Sequence, residues 1–402
     1  MGDSIPQQIS LNVNNGVLTD APLGTDFVLI FGLMGGSHFG LPAQTAGATQ
    51  LAGLIREPLS LTITFPNGQR AVLDAYVTRP DKPGVFPVAL ITHGTDGSEQ
   101  SDRQHLTPNR FSAAAITFAR HGYAAVVVMR QGYGQSTGHN DYQGNSCAQP
   151  QHALAGKMAR DDILAALTAI RVQPWAAKHQ AVLVGQSSGG FSVLAASALN
   201  PPGVQAIISF SGGRGAMGEG QVCDKTSLLA TLKSYGQTAR IPTLWLYTAN
   251  DQSFSPQLGE EMFKAYHHAE AKGKLITLPA YGNDGHDLLI SAPEGFWWRS
   301  VSSFLSQQHL PSHGVVSLAE AELAAPAGLT SSGLQAFKHY LSDRGYEKAF
   351  ATNGEGVWGR AHWARTQQDA KHEALANCEQ YREKEEAACT IYAAGDQRPA
   401  AK

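Results

Sequence analysis

Ser187 sits in Gly185-Gln186-Ser187-Ser188-Gly189, a G-x-S-x-G pattern. A serine hydroxyl is a weak nucleophile on its own. It becomes useful when it is aimed outward, has a base within reach and has donors waiting for an oxyanion. The pattern provides the aim. A serine on a sharp strand-to-helix turn is forced into strained backbone geometry, and glycines two residues before and two after it relieve the clash that larger residues would cause. The helix that follows directs its N-terminus at developing negative charge. The bare pattern is common by chance, so its setting matters. Here Ala181-Val182-Leu183-Val184 leads in as a buried strand, and the small, apolar stretch after Gly190 leads out as a helix.

The base and its orienting acid are sought downstream, in the chain order serine, acid, histidine. Asp251 lies in Thr248-Ala249-Asn250-Asp251-Gln252, just past the strand TLWLYT. His286 lies in Tyr281-Gly282-Asn283-Asp284-Gly285-His286-Asp287, just past KLITLP. Both loops belong at the C-terminal edge of a parallel sheet. The bland alternative for each is a solvated loop residue. His267 and His268 fall in a predicted helix and His309 near a helix end, so they compete poorly as the base. Asp284 and Asp287 flank His286 too closely in sequence to orient its ring from behind. One oxyanion donor is expected to be the N–H of Ser188, and the other the N–H of Thr95 in the loop His93-Gly94-Thr95-Asp96-Gly97. His93 itself reads as structural. Arg130-Gln131-Gly132-Tyr133-Gly134-Gln135-Ser136 is either a glycine-rich turn or a loop that makes Tyr133 a candidate pocket residue. Gln186, beside the nucleophile, is a second candidate pocket residue.

The elements that must hold these groups are legible in outline. Leu59, Leu61, Ile63 and Phe65 alternate with polar residues, Pro66-Asn67-Gly68-Gln69 turns, and AVLDAYV returns, giving a hairpin over 59–77. Strands follow at 88–92, 124–129, 181–184, 205–210, 243–248 and 274–279. Helices are predicted over 111–122 and 157–172, from the elbow to Leu199, and within 253–269. Unalternated apolar strands interleaved with helices mean a parallel sheet covered on both faces. The expected fold class is therefore α/β, a mostly parallel, doubly wound sheet with an antiparallel hairpin at its start.

The 402 residues are 43% hydrophobic and 16% charged, enough for a large core. Net charge is −3, which gives no electrostatic case for nucleic acid. No run reaches the length of a membrane span. No phosphate-binding loop, dinucleotide fingerprint or metal motif occurs, so neither cofactor nor metal is expected. Residues 27–36, FVLIFGLMGG, precede a small-residue stretch as in an export signal, yet no Lys or Arg occurs in the first 55 residues. They are a degenerate export signal or an ordinary buried segment. The four cysteines fall at Cys147, Cys223, Cys378 and Cys389, the last two only 11 positions apart. The second pair flanks the polar stretch EQYREKEEAA, and pairing of thiols so close favours an oxidising compartment.

Taken together, HGTDG, ARHGYAAVVVMRQGYGQSTG, GQSSGG, the aspartate after LWLYTAN and GNDGH resemble the α/β-hydrolase superfamily, in particular its dienelactone-hydrolase-like and acyl-peptidase-like serine hydrolases. The resemblance covers about residues 56–309 and implies the α/β-hydrolase fold and a Ser187–His286–Asp251 triad. Strict dienelactone hydrolases carry a cysteine nucleophile, so the serine here departs from that chemistry. VWGRAHWA, AKHEALANC and ACTIYAAG resemble a small cysteine-paired domain of exported bacterial proteins. That likeness implies a Cys378–Cys389 bridge and a periplasmic or secreted protein, in place of a cytoplasmic one. Cys147 and Cys223 both fall in active-edge loops and are expected to bridge. The resulting division is an N-terminal segment 1–55, a catalytic domain 56–309, a linker 310–332 and a small α+β domain 333–402. The expected activity is hydrolysis of a small carboxylic ester or peptide-like substrate through an acyl-enzyme. The alternatives are a peptidase of the same fold, which usually carries a large gating domain ahead of the hydrolase, and a non-catalytic binding protein whose C-terminal domain docks a partner or the cell envelope.

Overall fold

The apolar runs assemble into one nine-stranded sheet, which a computed structural model describes for residues 49–95, 100–139, 147–267, 271–319 and 321–399. Its strands are β1 (Thr49–Leu51), β2 (Leu54–Thr64), β3 (Arg70–Pro80), β4 (Phe86–Thr92), β5 (Ala124–Val128), β6 (Ala176–Gln186), β7 (Val204–Phe210), β10 (Thr243–Thr248) and β11 (Gly273–Leu278). A separate two-stranded ribbon, β8 (Ala216–Gly218) and β9 (Gln221–Val222), follows β7. The spatial order is β1-β2-β3-β5-β4-β6-β7-β10-β11. Pairing is antiparallel from β1 through the β3–β5 contact and parallel from there on. This order is the α/β-hydrolase fold. The expected export-signal segment lies outside the described residues.

The β2–β3 hairpin runs over 54–80, longer than the 59–77 that alternation predicts. The extra residues include Arg56, a charged side chain buried by a part of the chain almost 300 residues away, so no local apolar pattern marks it.

Helices cover both faces. On one, α3 (His152–Ile170), α4 (Ser188–Ser197), α5 (Lys225–Thr238) and α6 (Pro256–Tyr266) bury Ile163, Leu194, Leu228 and Met262 against the sheet. On the other, α1 (Gln100–His105) and a 3-10 turn (Pro108–Phe111) lead into α2 (Ser112–Arg120), and α7 (Leu288–Ser291) leads into α8 (Glu294–Gln307). There Phe118, Trp297, Val301 and Phe304 form the second core layer. Helix α3 starts five residues before the predicted 157. Gly156, which reads as a helix breaker, is instead a contact point: a Cβ there would lie 2.2 Å from the Tyr235 hydroxyl.

The C-terminal part carries its own three-stranded antiparallel sheet, in the order β13 (Trp358–Ala361), β12 (Ala349–Thr352), β14 (Thr390–Ala394). Helices α9 (Ser331–Ser342) and α10 (Gln367–Glu379) pack on it. A capping box between Thr366 and Asp369 starts α10, and Cys378–Cys389 ties its end to the start of β14. Helix α9 stops at Ser342, and the chain reaches β12 through Gly345 and Glu347, the latter at φ 47°. Among the described residues the two parts form one compact unit. Leu54, Ile116 and Ala119 share an apolar cluster with Tyr346.

Candidate active site

Ser187 occupies the turn between β6 and α4 with φ 56° and ψ −123°. A side chain in that region costs backbone energy of order 1–3 kcal/mol, and the surroundings hold it there. The Ser187 N–H donates to Phe210 O at 3.0 Å, and its carbonyl accepts from Phe191 and Gly213 N–H at 3.0 and 3.1 Å. The flanking glycines are required by contact. A Cβ on Gly185 would lie 2.2 Å from Gly189 O, and one on Gly189 2.3 Å from His93 O. Gly94, in the loop after β4, is also close: its Cβ would sit 2.9 Å from Ser187 Cβ.

Asp251 and His286 meet at the same edge. The His286 Nδ1–H donates to Asp251 Oδ1 at 3.1 Å, with Oδ2 at 3.3 Å. The Asp251 side chain is fully buried, and its Oδ1 also accepts from the N–H groups of Ser253 and Phe254 at 2.9 and 2.8 Å. The carboxylate is thus fixed from two sides. Burial alone would lower the pKa of His286. The hydrogen bond and charge of Asp251, aided by Asp287 and Asp284, outweigh it and raise the pKa above that of an ordinary histidine. Asp284 does local work as well, accepting from His286 N–H at 2.9 Å and Gln252 N–H at 3.1 Å. Gly285 is needed for the close approach, since a Cβ there would lie 1.9 Å from Thr248 Oγ1.

Ser187 and His286 line one small cavity of about 50 Å³, together with His93, Gly94, Thr95, Leu106, Arg110, Phe111, Gln186 and Asp287. Roughly 10–15 Å³ of such volume is enough to hold a water, so the cavity admits water beside Ser187. Ser188 opens α4, whose first N–H groups have no acceptor within the helix. Thr95 stands beside it, with the two hydroxyls 2.9 Å apart. Gln186 reaches across the cavity and donates from Nε2 to His286 O at 3.1 Å and Asp287 Oδ1 at 3.2 Å.

Tyr133 is not among the cavity residues. It is fully buried behind the wall, its ring 4.3 Å from that of His93, because the loop after β5 folds inward. His93 is held by Arg130: the Arg130 N–H donates to Nε2 at 3.0 Å, and Nδ1–H donates to Gly94 O at 2.6 Å. Burial, then the Arg130 charge, push its pKa well down, so His93 is a neutral strut. His267 ends α6 and stacks on Phe263. His268 lies outside the described residues, and His309 follows α8 at φ 56°. Sequence reasoning missed Leu106, Arg110, Phe111 and Asp287 as cavity residues. Apart from Asp287 beside the candidate base, no motif marks them. Among the described residues no group of three or more His, Cys, Asp or Glu is placed to hold a metal.

Cys147 and Cys223 are bridged across 76 residues, joining the loops after β5 and β7. Among the described residues no helix is long and apolar enough to cross a membrane.

The strand order and the elbow define the α/β-hydrolase fold. Residues 68–238 match the family of X-Pro dipeptidyl-peptidase (S15 family). That stretch runs from the β2–β3 turn to the end of α5. It contains Ser187 and stops short of Asp251 and His286. No curated protein matches the chain. Similar solved structures include an acetyl xylan esterase from a Paenibacillus species, with 17% identity over 65% of this chain and 87% of that one at a TM-score of 0.47. Est1E from Butyrivibrio proteoclasticus, solved with ferulic acid bound, gives 18% over 62% and 99% at 0.45. A Klebsiella pneumoniae protein assigned as a dienelactone hydrolase gives 18% over 64% and 98% at 0.43.

Proposed function

We propose that the protein is a serine hydrolase that cleaves small carboxylic esters through an acyl-enzyme. The observation that carries this reading is the shared cavity. Ser187, in its strained turn, and His286, anchored at 3.1 Å by the buried Asp251, open onto the same space. In the proposed cycle His286 Nε2 takes the Ser187 proton as Oγ attacks the ester carbonyl. Asp251 fixes the ring and stabilises the imidazolium. The N–H groups of Ser188 and Thr95 receive the oxyanion. The protonated His286 then gives its proton to the departing alcohol, and water, activated by the same histidine, releases the acid.

A peptidase is the second reading, favoured by the family match over 68–238. Two disulfides support an oxidising compartment, periplasmic or extracellular.

The deciding experiment is fluorophosphonate labelling with peptide mapping, on the wild type and Ser187→Ala. Label on Ser187 that disappears in the variant is the expected result. A panel of p-nitrophenyl esters of increasing acyl length, set against a Xaa-Pro anilide, then separates esterase from peptidase. A folded wild type that neither labels nor hydrolyses any member would leave only a non-catalytic binding role.

A further inference from the structure

Three consecutive residues of the C-terminal part, Trp363, Ala364 and Arg365, lie against the 107–109 turn and β3. The Trp363 carbonyl accepts from the Thr107 hydroxyl, and the Ala364 carbonyl from Asn109 Nδ2, both at 2.7 Å. The Arg365 guanidinium grips Asp74 of β3 with two hydrogen bonds, at 2.7 and 3.3 Å. Asp74 in turn receives the Gln135 N–H of the loop after β5 at 3.1 Å.

Thr107 and Asn109 belong to the short turn that supplies Arg110 and Phe111 to the cavity. A single 3-10 turn has little stability of its own. This one is pinned through Asn109, which is almost fully buried. Its Oδ1 accepts from Arg56 at 2.6 Å, and its Nδ2 donates to Glu347 Oε2 at 2.9 Å as well as to Ala364. Glu347 is also ion-paired to Arg56, and both side chains are buried. The Trp363 ring lies under the Arg110 guanidinium, 5.5 Å away, while Arg110 Nη2 stands 4.0 Å from Asp287 beside the candidate base. Trp363 holds this place at φ 63°, a left-handed conformation that is unusual for a bulky residue.

We infer that the C-terminal part is a wall-bearing component of the substrate cavity, with Trp363 as the residue that positions Arg110. This rests on the serine-hydrolase reading for its kinetic consequence, though not for its structural one. An appendage that only docks a partner has no need to fill the hydrogen-bonding capacity of a buried asparagine in the turn that carries Arg110 and Phe111. Here two of the three partners of Asn109 come from the C-terminal part.

The test uses the full chain with Trp363→Leu, which removes the aromatic face, and Trp363→Phe, which keeps one. Cation–π support of this kind corresponds to roughly a fivefold change in binding. The expected result is a rise in KM of about that size for ester substrates in the leucine variant, with kcat within about twofold and Ser187 labelling retained. The phenylalanine variant should recover the wild-type KM. Hydrogen exchange of the 106–112 peptide supplies an arm independent of activity, and it should speed up in Trp363→Leu and in Glu347→Gln. With an active wild type the kinetic arm decides: an unchanged KM in Trp363→Leu overturns the inference. If the wild type neither labels nor hydrolyses, the esterase reading falls and exchange alone decides. Unchanged protection of 106–112 in both variants would then show the C-terminal part to be a separate appendage.

Discussion

Gly189 passes so close beneath the end of β4 that a methyl group on it would lie 2.3 Å from the carbonyl oxygen of His93 and 2.7 Å from that of Thr92. Both obstacles are backbone atoms at and just past the end of a central strand, and no rotamer change can clear them. Gly189→Ala should therefore push α4 away from β4 and tilt Ser187 off the cavity. Overpacking at such a point costs about 1–3 kcal/mol. Urea unfolding should show that loss, and fluorophosphonate labelling should slow more than stability alone accounts for. A variant with wild-type midpoint and labelling rate would mean that the elbow is looser than these contacts require.

The charge around His286 gives a pH signature. A histidine base works when neutral, and here Asp251, Asp287 and Asp284 together outweigh burial and raise its pKa. The acidic limb of kcat/KM should thus turn at a pH above 6.5, so activity is lost earlier on acidification than for an ordinary histidine. Asp251→Asn should lower kcat by about three to four orders of magnitude and shift the limb downward. Asp287→Asn should shift it the same way by less. An acidic limb that ignores both substitutions would remove His286 as the titrating base.

The two disulfides should contribute unequally. One spans 76 residues and the other 11. In the chain-entropy account these loops correspond to about 4.5 and about 2.7 kcal/mol. Replacing Cys147 and Cys223 by serine should lower the unfolding free energy more than replacing Cys378 and Cys389. The reverse ranking would show that local strain or denatured-state structure dominates.

Much of the candidate site was legible because the sheet edge that carries it is encoded locally. The elbow requires Gly185 and Gly189, and the apolar runs before Asp251 and His286 mark strands that end at one edge. Those signals need only a few neighbouring residues. Tyr133 shows where such reading stops: a tyrosine in a glycine-rich loop looks exposed, and only the ring of His93 reveals that it turns inward. Arg110 and Phe111 were invisible for a related reason. They line the cavity because Asn109 is held by residues 347 and 364, and nothing near position 109 records that. The boundary between catalytic and C-terminal parts was read from composition, which senses the polar, Ala-rich stretch after 310 but not the packing across it.

The Arg56–Glu347 pair has a consequence in time as well as in space. The two residues are 291 positions apart, so the arginine is made early and its counter-charge near the end. Until Glu347 is synthesised, burying Arg56 in its final place would strand a charge, at a cost of several kcal/mol. Before then Arg56 keeps Asn109 and the Tyr76 ring as neighbours but has no carboxylate of Glu347 to neutralise it. A chain that stops short of Glu347 therefore already holds Ser187, Asp251 and His286 but lacks the carboxylate that pairs with Arg56 and holds Asn109 beside the cavity.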